Sequence, residues 1–190
     1  MYFKTLGSII ISIFALSFPS YAEKEARGTT PQTEIRDYAE FFDESLNDMT
    51  EESEIAEEEG KKGILLMFEM DECPFCKRMK KTVLNRTEVQ DYFKKNFRIL
   101  SIDIEGDLEL TDFKGEDTTQ KEFSLKQFRV RATPVFQFLD LKGAPIKNGR
   151  LTGATRDSKE FMMLGKYIVE GNHEKMPFSR YKRQQKKAEK

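Results

Sequence analysis

Cys73 and Cys76, in the run Cys73-Pro74-Phe75-Cys76, are the only two cysteines of this chain. Two thiols one helical turn apart can close a disulfide and reopen it, which is the chemistry of thiol–disulfide exchange. A structural staple is the plainer alternative. Closing so short a loop contributes roughly 2 kcal/mol at most through chain entropy, so a staple would be better placed elsewhere. Zinc would need further ligands, and the chain offers no other cysteine and a single histidine, His173. Haem attachment calls for histidine directly after the second cysteine, where Lys77 stands. Copper carriage would draw on Met70 and Met79, whose simpler use is packing. The pair is therefore read as reactive, with no metal and no cofactor.

The flanking residues say what must position the pair. Residues 64–70 form a short apolar run of strand length, as in a buried strand, and a helical pattern starts at Lys77. Cys73 then falls where a strand gives way to a helix. Unpaired backbone N–H groups and the positive end of the helix dipole favour a thiolate there. Cys76 lies one turn further in. Lys77 and Arg78 favour the thiolate, whereas Asp71 and Glu72 oppose it.

Periodicity supplies the other elements. Ile35, Tyr38, Phe42, Leu46, Met49 and Ala56 recur at helical steps and predict one long helix from residue 33 to the acidic stretch before Gly60. That acidic stretch is read as a solvated face. Helices are expected over 77–84 and 88–96, with a break at 85–87, and the next strand over 97–104. Residues 105–119, acidic and polar with a turn at Asp112-Phe113-Lys114-Gly115, read as a surface insertion. Helical spacing returns over 120–128, and a strand follows over 135–139. Lys142-Gly143 is a hairpin turn into a weaker strand over 145–151, suited to an edge by Pro145. Ser158 can cap a last helix that ends at Gly171. Strands alternating with helices give a parallel core, and the hairpin adds antiparallel edge strands. The fold class is α/β, a three-layer arrangement around a mixed sheet of four strands, with an extra N-terminal acidic helix and an acidic insertion before the third core helix.

The second chemical signal is Thr133-Pro134, about sixty residues beyond the cysteines at the head of an apolar strand. Together with residues 64–77, the strand at 97–104, Arg131-Ala132-Thr133-Pro134-Val135, and Gly143 and Gly153, it resembles the thioredoxin superfamily. Asp112-Phe113-Lys114-Gly115 and the ending from Phe161 through Tyr167-Ile168-Val169 to Phe178 and Tyr181 resemble, within it, the periplasmic SoxW-type proteins. The resemblance implies that Cys73 is the nucleophile and Cys76 the resolving thiol. It also implies a cis Pro134 whose loop, with Thr133, pairs with a substrate backbone, and an apolar contact from Pro74 and Phe75. Two departures stand out. The chain has no tryptophan and carries Glu72 directly before the pair, and Met67 occupies the place of the buried acid six residues before the first cysteine. A proton for the resolving step must then pass through Glu69 or water.

The ends place the domain. Lys4, the apolar run at 6–18, Pro19 and Ser20-Tyr21-Ala22 have the layout of a secretory signal peptide over residues 1–22. The run is shorter than the ~20 residues that span a bilayer; a retained anchor is the alternative. A flexible lead is expected at 23–32, the thioredoxin-like domain at 33–179, and a disordered basic tail at 180–190, for which contact with anionic lipid is a secondary reading. A net charge of -1, with 34% charged residues, gives no reason to propose nucleic acid. The expected function is an exported, periplasmic thiol–disulfide oxidoreductase that reduces or isomerises protein disulfides, drawing electrons from a membrane thiol carrier. A disulfide-donating oxidase and a non-catalytic binding module of the same fold are the competing readings.

Overall fold

The computed structural model describes residues 34–188. The expected signal peptide and flexible lead lie outside these residues. One strap precedes seven helices and six strands among them, and a four-stranded sheet organises the rest.

Strand β1 (Gly63–Glu69) is central because its side chains are apolar on both faces, and residues 63–68 are all buried. It pairs in parallel with β2 (Phe97–Asp103), from Gly63 opposite Phe97 to Glu69 opposite Asp103. On its other side it pairs antiparallel with β5 (Val135–Leu139), which pairs antiparallel with β6 (Pro145–Thr152). The order is β2-β1-β5-β6, a mixed sheet with the hairpin at one edge. Gly63 is required at the first position, since a Cβ there would run into the carbonyl oxygen of Leu139.

Alternation along the strands splits the core in two. Leu65, Met67, Ile99, Phe136 and Phe138 face α2 (Pro74–Met79), α3 (Thr87–Asn96) and α5 (Ser158–Val169). Phe93 and Phe161 stack there at 4.5 Å, and Gly165 lets α5 come close, since a Cβ would meet the Phe93 ring at 2.8 Å. Ile64, Leu66, Phe68, Leu100 and Ile102 face the opposite way, against Met49 and Ala56 of α1 (Met49–Glu58) and against Leu110, Phe123 and Phe128. Helix α2 runs on into a π-helical turn, Lys80–Leu84, before Asn85 breaks it.

Five expectations are corrected, the last being the disordered basic tail. The long N-terminal helix is instead a 3-10 turn, Tyr38–Phe41, an extended strap over 42–48, and α1. Asp37 accepts from the Ala39 N–H and Asp48 from those of Thr50 and Glu51, so each carboxylate starts a new helical segment rather than continuing one. Ile35 and Leu46 are 62% and 88% exposed as a result. The strap closes the sheet edge: Asp43 donates its N–H to the Ile99 carbonyl and accepts from the Ile99 N–H, both at 2.8 Å.

The insertion is a packed hairpin, β3 (Glu109–Thr111) with β4 (Asp117–Thr119). Leu110 enters the core and the Asp112 carboxylate gathers donors from Lys114, Glu116 and Gln127. Burial pushes Asp112 up, yet these donors hold its pKa below the ordinary carboxylate value. The helix expected over 120–128 is one turn, α4 (Gln120–Glu122), followed by a π-helical stretch, Phe123–Gln127. The last core helix is capped by Asp157, not Ser158.

The basic end is ordered through Ala188. After α6 (Asn172–Lys175), α7 (Phe178–Ala188) buries Phe178 and Tyr181 against Tyr167, at ring distances of 5.4 and 5.2 Å. No helix among the described residues is long and apolar enough to cross a membrane.

Candidate active site

The chain leaves β1 at Glu69, passes the exposed Asp71 and Glu72, and enters α2 at Cys73. Cys73 is the N-cap, with extended backbone (φ -109°, ψ 99°), and Pro74 at the first helical position needs no N–H partner. The Cys76 N–H points at the Cys73 sulfur at 3.0 Å, and the Lys77 N–H reaches the Cys73 carbonyl at 3.0 Å. The sulfur at this N-cap thus receives one backbone donor, the Cys76 N–H, of the kind that would stabilise a thiolate.

The two sulfurs are joined in a disulfide with Cα atoms 5.2 Å apart. Both cysteines are buried, whereas Pro74 is exposed and Phe75 is 60% exposed. The Pro-Phe dipeptide is the exposed surface beside the disulfide.

Thr133-Pro134 reaches the same end of the sheet through strand pairing. Val135 lies opposite Phe68, so Pro134 heads β5 where β1 ends and turns toward Cys73. The Thr133-Pro134 peptide is cis, Pro134 is buried, and the Gly153 N–H holds its carbonyl at 2.8 Å. The Thr133 hydroxyl oxygen is buried without a hydrogen-bond partner.

The inner side of the disulfide differs. A cavity of about 270 Å³ is lined by Cys76, Glu69, Lys80, Asp103 and Tyr38, among others. Glu69 pairs with the Lys80 ammonium at 2.6 Å and accepts from the Ser101 hydroxyl at 2.5 Å, and Lys80 lies 5.2 Å from the Tyr38 ring centroid. Met67, the position of the missing acid, is fully buried in the apolar core. Glu69 is two residues along the same strand, so its side chain leaves β1 on the same face. Lys80 and Ser101 were not among the residues singled out by sequence, and Tyr38 was read there only as part of a helix face. Lys80 is the one with a local signal, lying four residues after Cys76 on the same helix face.

Arg78 is turned to the carbonyls of Thr155 and Arg156, at 2.8 and 3.3 Å, and fastens α2 to the start of α5. Of the sulfur candidates for copper, Met79 is fully buried and accepts from the Thr155 hydroxyl, and Met70 packs against the core. His173 lies beside Tyr167, on α6.

The model of the thioredoxin-like domain family matches residues 49–168, which span the disulfide and the cis-proline loop. The chain belongs to the thioredoxin-like domain family. Among solved structures, the thioredoxin-like domain is similar to a thioredoxin-fold protein from Helicobacter pylori. The two are 25% identical over 60% of this chain and 73% of that one, with a TM-score of 0.50. It is also similar to DsbH oxidoreductase, at 17% identity over 76% of this chain and 92% of that one, TM-score 0.50. A thioredoxin from Thermus thermophilus is 24% identical over 63% and 82% of the two chains, TM-score 0.49. No curated protein matches the sequence. Family membership and the four-stranded mixed sheet agree with the expected fold class.

Proposed function

We propose that this chain is an exported thiol–disulfide oxidoreductase that reduces or isomerises protein disulfides. The observation that carries the reading is the closed Cys73–Cys76 disulfide at the N-terminus of a helix in a thioredoxin-like domain.

In the reduced protein, the Cys73 thiolate attacks one sulfur of a substrate disulfide. The Cys73–substrate bond forms, the substrate S–S bond breaks, and the departing thiolate takes a proton from water. Cys76 then loses its proton to Glu69, or to water in the adjoining cavity, and attacks the Cys73 sulfur. The intramolecular disulfide forms and the second substrate thiolate leaves, so two electrons pass from the dithiol to the substrate. Thr133 presents its backbone to an extended substrate segment, and the cis Pro134 beside it offers no N–H to compete. Pro74 and Phe75 supply apolar contact beside the sulfur.

Reductant must return the electrons, and a membrane thiol carrier is the class that fits a chain with a signal-like N-terminus. Periplasmic location rests on that N-terminal layout. The likeness to SoxW-type proteins rests on the 112–115 turn, now placed in a packed hairpin, and on the aromatic ending that docks α7.

Turnover of a protein disulfide with the reduced chain, and the redox equilibrium of the dithiol, test the reading. Reduction of the substrate and a potential below about -150 mV are expected; a potential well above that value would assign an oxidase instead.

A further inference from the structure

We propose that the face formed by α5 and α7 docks on an anionic phospholipid surface. The chain as a whole is balanced, with 32 basic and 33 acidic side chains. Helix α7 is not: it carries Arg180, Lys182, Arg183, Lys186 and Lys187 and no acid. The helix is held in place by Phe178 and Tyr181 and by the Lys182–Glu160 ion pair at 2.5 Å. Arg180, Arg183, Lys186 and Lys187 are therefore presented to solvent as a fixed array.

Beside that array lies a groove of about 450 Å³ with Met162, Met163 and Tyr181 in its lining and Lys159 and Lys166 from the exposed side of α5. Thioether and aromatic surface flanked by long cationic side chains suits the boundary between headgroups and acyl chains. Among the acids on this side, Glu160 is neutralised by Lys182, while Glu170, which accepts from Tyr181 and Asn172, and Glu88, which lines the groove and accepts from Ser158, keep their charge and are outnumbered by the bases of α7 with Lys159 and Lys166. The exposed Glu51, Glu54, Glu57 and Glu58 belong to α1, which packs on the opposite face of the sheet. A negative surface would therefore attract one side of the molecule and repel the other, which sets its orientation.

The docked face adjoins the dithiol. Glu160 accepts from the Arg156 N–H, and Arg78 of α2 donates to the Thr155 and Arg156 carbonyls. This chain of contacts links α7 to the helix that bears Cys76, while Phe75 stays exposed. A nucleic acid would use the charges but not the methionines.

The test is co-sedimentation of the full chain with vesicles of phosphatidylcholine, alone or mixed equally with phosphatidylglycerol. The apolar run at 6–18 contributes alike to both, so the anionic-to-neutral ratio is the readout. A ratio of about several hundred, falling as salt rises, is expected. Each base near an anionic surface is worth about fivefold, so Arg183→Gln/Lys186→Gln/Lys187→Gln should lower the ratio about 100-fold. Met162→Gln/Met163→Gln should weaken binding to anionic vesicles and leave retention on heparin unchanged. A ratio near one, or a triple variant with the same ratio as the parent, would overturn the proposal. So would heparin binding without vesicle binding, which would assign the face to a soluble polyanion.

Discussion

The two sulfurs of one disulfide sit in unlike surroundings. Around Cys73 the chain turns outward: Pro74 and Phe75 are exposed, and the cis Thr133-Pro134 loop stands at the same end of the sheet. Around Cys76 it turns inward, to a cavity lined by the Glu69 carboxylate and the Lys80 ammonium, which pair with each other, Glu69 also accepting from the Ser101 hydroxyl. The contrast separates two tasks. In the proposed mechanism the Cys73 sulfur meets a partner and the Cys76 sulfur meets a proton acceptor.

The largest expected effect tests the outer side. Cys73→Ser should abolish exchange, a loss on the order of 1,000-fold or more in turnover of a protein disulfide, because the one thiol left, Cys76, lines the inner cavity rather than the exposed Pro74-Phe75 surface. Retained activity would end the assignment of roles. Glu69→Gln tests the inner side. Stopped-flow resolution of a preformed mixed disulfide should slow by about 100-fold, the size of a lost general base. An unchanged rate would leave cavity water as the acceptor. Phe75→Ala should raise KM for a protein disulfide by about tenfold and leave a small-molecule disulfide unaffected, since only an extended partner spans the exposed ring.

The smallest effect concerns the frame rather than the sulfurs. The Thr50 hydroxyl, then the Glu51 and Thr50 N–H groups, hold the Asp48 carboxylate below the usual range. Its stabilisation should be full above the unfolded value of about 3.9 and fade as pH falls through the lower folded value. Asp48→Ala should cost about 1 kcal/mol in denaturant melts at neutral pH and flatten that acid limb.

The outer side of the site was legible in the residues. A contiguous apolar strand, a Cys-x-x-Cys at its end and a proline opening a later strand are local patterns, and pairing of Val135 with Phe68 brings them to one place. The inner side was only half legible. Glu69 could be singled out as the acid nearest Met67, but its contact with Lys80 and Ser101 depends on how a helix and a second strand pack against β1. The strap was misread for a different reason. Apolar spacing through Ile35, Tyr38, Phe42 and Leu46 imitates a helix, and the competing Asp37 and Asp48 caps outweigh it. At the other end, Phe178 and Tyr181 stood out in the sequence, but the charge around them pointed to a disordered tail rather than to the helix they anchor.

The central claim is that Cys73 attacks and Cys76 resolves. The direct measurement is to reduce the Cys76→Ala chain, mix it with a protein disulfide, and locate any covalent adduct by mass spectrometry. A stable mixed disulfide at Cys73, released by excess reductant, is the expected result. No adduct under conditions in which the parent chain reduces the same substrate would contradict the account.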